Sequence, residues 1–149
     1  MSIVLHGVAA GKGIAIGHAH LITRGTTEVP QYDIDPDKLD AEVARFDNAI
    51  KATRKELEQL RGAIPENAPT ELGAFISLHL MLLTDVTLSR EPIDILREQK
   101  INAEWALKLQ SDKLAAQFDS IDDDYLRERK QDMLQVVRRI HNNLVGQSN

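Results

Sequence analysis

Apolar residues in the body of the chain recur at helical spacing. Leu39, Val43, Phe46, Ile50, Leu57, Leu60 and Ile64 stand four and three positions apart in alternation, with Thr53 in the one polar slot. This pattern predicts an amphipathic helix with a heptad seam, about seven turns long. Asp35 precedes it as a cap and Pro36 suits its first position. Acids gather at its start (Asp35, Asp37, Asp40, Glu42) and bases near its end (Arg54, Lys55, Arg61), as a helix dipole favours. Gly62 and Pro65 stop it.

The next segment, from about Pro69 to Leu83, is apolar on most sides, with Leu72, Phe75, Ile76, Leu78, Leu80, Met81, Leu82 and Leu83. Such a helix is either buried nearly all round or keeps one apolar side for a partner. Thr84-Asp85 offers a new cap for a shorter helix, inside which Pro92 predicts a kink or a late start. Asn102 can cap a further helix bearing Trp105, Leu109, Leu114 and Phe118. Asp122-Asp123-Asp124 opens the last one, whose seam reads Leu126, Met133, Val137, Ile140 and Leu144, with Lys130 in one slot and Gly146 at the end. The fold class is therefore mainly α, an antiparallel bundle of four to five helices.

The opening differs. Five of the eight glycines fall in the first 25 residues, and Ile3-Val4-Leu5 is a short strand signal. Ile14, Ile16, His18, His20 and Ile22 then alternate with Ala15, Gly17, Ala19 and Leu21, a strand period. A linker from Gly25 to Ile34 contains Pro30. A two-stranded hairpin alone is marginal in water. The strands are expected to complete a sheet with polypeptide beyond Asn149 or, less favoured, with another chain. The expected division is residues 1–30 as first strands plus linker, 31–146 as the helical domain and 147–149 as a tail.

Composition narrows the function. The chain has 149 residues, 42% hydrophobic and 28% charged, which is globular rather than disordered. It has no cysteine, which removes disulfides, thiolate metal sites and cysteine nucleophiles. The net charge is −5 without a Lys/Arg block, so nucleic acid is not an expected partner. No apolar run approaches the roughly 20 residues of a membrane span, and the N-terminus lacks a signal-peptide pattern. A cytoplasmic protein without membrane insertion is expected.

Candidate chemical motifs have plainer readings. Gly7-Val8-Ala9-Ala10-Gly11-Lys12-Gly13 is one residue short of a phosphate loop and has Gly13 where Ser or Thr must hold magnesium. It reads as a turn between strands. His18 and His20 share one side of a strand but have no definite third metal ligand. The three aspartates at 122–124 point in different directions and fit helix capping. His79 reads as a half-buried histidine; Asp85 lies six positions on, and a bend at Thr84 brings the two side chains closer.

Three segments carry a family likeness: Gly7 through Gly17; Ala74-Phe75-Ile76-Ser77-Leu78-His79-Leu80-Met81-Leu82-Leu83-Thr84-Asp85; and Asp123-Asp124-Tyr125-Leu126-Arg127-Glu128-Arg129-Lys130-Gln131-Asp132, leading to Arg138-Arg139. Together they resemble the N-terminal region of enzyme I of the bacterial phosphotransferase system, the phosphoenolpyruvate–protein phosphotransferases. The resemblance implies the first strands of an incomplete α/β phosphohistidine domain and a complete helical insert that docks the phosphocarrier HPr for His-to-His phosphoryl transfer. None of the five histidines follows the family's Gly-rich Thr-Ser-His motif, so the chain alone is expected to be inactive. No cofactor is implied for it; magnesium belongs to the full-length parent. The remainder of the phosphohistidine domain is implied as an intramolecular partner.

The matched positions imply a docking set. Met81, Leu82 and Leu88 supply apolar contacts, joined by Phe118. Glu71 and Asp85 supply negative charge, and Arg129 a polar contact. His79 and Asp85 lie where the docking face meets the phosphohistidine side. Ser77, Val86 and Thr87 stand where the family often has acids, and Gln135 where Asp is common. The residues alone also permit a non-catalytic helical interaction or dimerisation domain. A nitrogen-branch enzyme I, or another phosphoenolpyruvate-using enzyme, shares the resemblance.

Overall fold

The computed structural model describes residues 29–146. The expected strands of the opening, with His6, His18, His20 and the glycine-rich turn, lie outside the described residues. A 3₁₀ turn at Pro36–Lys38 leads into α1 (Leu39–Gly62), followed by α2 (Thr70–Thr84), α3 (Val86–Ser89), α4 (Glu91–Gln99), α5 (Ala103–Asp119) and α6 (Asp124–Gly146). The expected helical bundle is observed. The segment after Asp85 resolves into two pieces because Pro92 sits in the first turn of α4, where its missing N–H costs no hydrogen bond. This is the late start rather than a kink.

α1 and α6 form the spine. Arg45 meets the Leu144 carbonyl, Thr53 meets Asn143 and Glu56 meets Arg139, so the two helices run antiparallel. Thr53 fills the polar slot of the seam usefully: its hydroxyl donates to the Ala49 carbonyl at 2.8 Å and accepts from Asn143 Nδ2 at 2.9 Å. α2 packs on both spine helices, while α4 and α5 pair beside them. The core is aliphatic around one aromatic, Phe46, with Leu57, Leu83, Leu88, Leu96, Leu107, Ile140 and Leu144 fully buried. Each such side chain contributes roughly 1.5–3 kcal/mol before entropy is charged.

Two seam positions differ from the pattern. Leu60 is exposed because residues 58–62 of α1 outrun the helices that cover it. In α6 the buried positions are Met133, Val136, Ile140 and Leu144, with Val137 only half-buried. A straight helix at 3.6 residues per turn drifts from a strict heptad, and Val136 takes the inward position.

At Thr84 the chain bends by 59° between α2 and the helices that follow. The Thr84 hydroxyl back-bonds to the carbonyls of Leu80 and Met81. Asp85 then caps α3, accepting from the Thr87 amide at 3.0 Å and its hydroxyl at 2.9 Å. No single described helix is long and apolar enough to cross a membrane.

Segment 30–34 lies against the α4–α5 connection. Ile34 N donates to the Lys100 carbonyl, Asn102 N to the Tyr32 carbonyl, and Asp33 bridges to Ile101. Lys100 takes the left-handed conformation that ends α4 (φ 53°). Asn102 begins α5 as expected, but its side chain does not cap that helix. It holds the incoming strap instead, accepting from Tyr32 N and donating to the Pro30 carbonyl and Glu104.

Candidate docking face

α2 is not buried all round. Only Ile76, His79 and Leu83 are buried on it. Leu72, Phe75 and Met81 stay exposed, Met81 at 66%, as does Val86 beyond the bend. Leu72 and Met81, nine positions apart, stand on opposite sides of α2, so apolar side chains are exposed along the helix rather than on one face of it. Glu71 is the only Asp, Glu, Lys or Arg on α2. An open groove of about 600 Å³ runs between α2 and α6. Glu71, Phe75 and Leu78 line one side, and Glu128, Arg129 and Asp132 the other.

A polar chain crosses beneath this groove. His79 is 2% exposed, with Phe75 packed on its ring at 4.2 Å between centroids. Its Nε2 lies 3.4 Å from Asp132 Oδ1. Asp132 Oδ2 lies 3.2 Å from Arg129 Nη1. The Arg129 guanidinium sits over the Tyr125 ring at 5.0 Å, a cation–π contact. His79 therefore partners Asp132 rather than Asp85, whose carboxylate is engaged in the α3 cap. Sequence reading missed Asp132 as a functional residue, because 53 positions separate it from His79.

The expected docking residues separate into groups. Met81, Glu71, Asp85 and Arg129 are reachable from solvent, and Leu82 is half-buried against the core. Leu88 is 1% exposed and belongs to the core, and His79 is equally inaccessible, so neither can touch a docked protein. Phe118 lines a separate hollow with Asp119, Asp122, Arg127 and Lys130. Arg127 and Lys130 leave α6 on a different side from Arg129 and Asp132, by helical geometry. Leu72, Phe75 and Val86 are exposed apolar residues that the expected set omitted.

Near the far end of α6 lies a second polar cluster. Arg45 bonds Glu42 through two nitrogens at 2.8 and 2.9 Å, pairs with Glu104 at 2.6 Å and donates to the Leu144 carbonyl at 3.1 Å. Glu42 also accepts from the Ala103 amide at the start of α5. The Arg45 pKa is pushed further up, first by its hydrogen bond to Glu42, then against burial by Glu104. Burial pushes Glu104 up. Hydrogen bonds from Arg45, Asn102 and its own amide, with the Arg45 charge, outweigh that and hold it below its ordinary value. This cluster ties elements together and faces no groove. Among the described residues, no group of three or more His, Asp or Glu is placed to hold a metal ion. Asp123 caps α6 through the Tyr125 and Leu126 amides, as its position predicts, while Asp122 and Asp124 pair with Arg127.

The chain is similar to known proteins over nearly its whole length. The family model described as "PEP-utilising enzyme, N-terminal" matches residues 6–129. The phosphoenolpyruvate-protein phosphotransferase of Cupriavidus necator is 48% identical over 146 residues, 98% of this chain and 25% of that protein. The enzyme of the same name from Bacillus subtilis is 34% identical, over 95% of this chain and 25% of its own length. The chain thus spans about a quarter of the length of these curated relatives. A solution NMR structure of Enzyme I (nEIt) superposes with a TM-score of 0.74 at 26% identity, covering 82% of this chain and 49% of the other.

Proposed function

Because this chain belongs to the family of N-terminal regions of PEP-utilising enzymes, we propose that it is the docking part of a phosphoenolpyruvate–protein phosphotransferase, and that its partner is the phosphocarrier HPr. The observation that carries this reading is the exposure of large apolar side chains on and just after α2, Met81 and Val86 above all, which no described element covers. Apolar exposure of this kind beside a groove with a tethered arginine suits a protein partner better than a small molecule.

The helices' contribution is geometric. Phosphoryl transfer between two histidines requires donor and acceptor nitrogens in line with the phosphorus, and holding two reactants in that arrangement supplies much of the rate. The carrier's apolar ridge covers Met81 and Val86. Glu71 and Asp85 sit at the edge toward its basic groups, and Arg129 reaches a polar group from α6. Leu88 and His79 act from beneath by fixing the backbone of α2 and α3. The phosphorylated histidine and the magnesium-dependent phosphoenolpyruvate site are assigned to other parts of the parent enzyme.

Titration of ¹⁵N-labelled chain with unlabelled HPr tests this. Amide shifts are expected on α2, on residues 85–87 and on the first turns of α6, saturating with one carrier per chain. Shifts scattered over α4 and α5, or none at millimolar carrier, overturn the reading. Concentration-dependent shifts without any carrier indicate instead a self-associating helical domain.

A further inference from the structure

We propose that Asp132 is a positioning residue, which sets the direction in which Arg129 meets the docked carrier; the proposal rests on the docking reading above. An arginine at a groove edge ordinarily samples many rotamers, and fixing it on binding costs affinity. Here that ordering is in place before any partner arrives. Asp132 grips Nη1 at 3.2 Å from one helical turn away, and the Tyr125 ring lies under the guanidinium plane at 5.0 Å. Only 24% of the Arg129 side chain remains exposed.

Asp132 is itself held. Its carboxylate is largely buried, and its second oxygen faces His79 Nε2 at 3.4 Å. His79 in turn is fixed under Phe75, which is itself exposed. Stability alone does not call for this arrangement, since apolar side chains of similar volume replace a buried ion pair at little or no loss. What an apolar replacement cannot supply is a defined direction for the guanidinium in the groove wall. Arg129 Nη2 has Glu128 at 3.9 Å, beyond hydrogen-bond reach, which leaves it free to donate to an oxygen of the carrier. Glu71, Glu128 and Asp132 outnumber Arg129 around the groove. That local negative balance disfavours a carboxylate and selects a neutral carbonyl, of backbone or side-chain amide.

A double-mutant cycle on carrier affinity tests the assignment. Arg129→Ala and Asp132→Ala are each expected to weaken binding about tenfold, the range of one charge-assisted hydrogen bond. If Asp132 acts through Arg129, the double variant binds no more weakly than Arg129→Ala alone. Losses that multiply to about a hundredfold, or an Asp132→Ala chain that binds like the parent, overturn the proposal. Asp132→Asn keeps the volume of the side chain and guards against a folding defect. In that variant the Arg129 Nε–Hε proton, buried in the parent, should exchange faster with water while the α6 amides keep their protection. Unchanged Hε exchange also overturns the idea. If the unsubstituted chain fails to bind the carrier, both readings fall; if it binds through Met81 and only the cycle is additive, the positioning role alone falls.

Discussion

Replacing Arg45 by Met probes the best-defined electrostatic feature of the bundle. The Arg45 side chain is 17% exposed and stands between Glu42 and Glu104, at 9% and 4%. Met retains much of the aliphatic stem, so the change mainly removes charge and donors. Two buried carboxylates then lose their charged partner, Glu42 keeping the Ala103 amide and Glu104 keeping Asn102, and the Leu144 carbonyl loses its bond from Arg45. Breaking a buried ion pair from one side costs about 3–5 kcal/mol, a large share of the roughly 5–15 kcal/mol that holds a domain together. With a urea slope of about 2 kcal/mol per molar, the midpoint should fall by about 2 M. The pH dependence carries the sharper test. Glu104 is held below its ordinary 4.5 in the folded parent. A depressed carboxyl stabilises the fold above its unfolded pKa and loses that contribution as pH falls through the folded value. The parent should therefore weaken as pH drops from about 5 to 3. Without Arg45, burial of Glu104 is opposed only by Asn102 and its own amide, so its pKa rises and acid relieves the variant. The stability gap should be about 4 kcal/mol at pH 7 and less than half of that at pH 4. Urea unfolding followed by circular dichroism at both pH values measures it. A gap under 1 kcal/mol at pH 7, or one equal at pH 4, refutes the argument.

Met81→Ser should reduce carrier affinity about tenfold and move stability by no more than about 0.5 kcal/mol, because this side chain touches mostly water until docking. Leu88→Ala, by contrast, should destabilise the fold by about 2–5 kcal/mol, as core truncations do; thermal melts of the two chains separate these expectations. Carrier binding should depend only weakly on salt, since few acids are left for basic groups of the carrier: α2 offers Glu71 alone, the Asp85 carboxylate also caps α3, and Asp132 is paired with Arg129. Raising sodium chloride from about 50 to 500 mM should change Kd less than about threefold. A change of tenfold or more in a calorimetric titration contradicts that.

Local features of the bundle were readable in the sequence because they are local. The α1 seam, the stop at Gly62, the late start at Pro92 and the Asp123 cap each depend on neighbours within one turn. Apolar exposure on α2 was announced by an excess of apolar residues, but which of them point outward depends on what α1 and α6 cover. Leu88 shows this. It reads as a contact beside Met81 and Leu82, yet the bend after Thr84 turns it into the core. Leu60 errs the other way, since periodicity does not say where neighbouring helices stop. The polar networks were the least legible. His79 with Asp132, and Arg45 with Glu104, join residues more than 50 positions apart, and no spacing rule connects them. Asn102 looked like an ordinary cap; its actual work on Pro30 and Tyr32 follows from tertiary placement.

The Arg45–Asn102 cluster has a mechanical consequence. It gathers segment 30–32, the start of α5 and the Leu144 end of α6 into one corner, so the two ends of the described bundle meet there. Along α6, Asp132 lies about 18 Å from that corner, counting 1.5 Å per residue. Were the bundle to turn as one unit about that corner, α6 would act as its lever arm. A rotation of about 20° would then sweep the groove through about 6 Å at this radius, enough to bring a carrier's reacting atom into or out of range without deforming any surface that grips it.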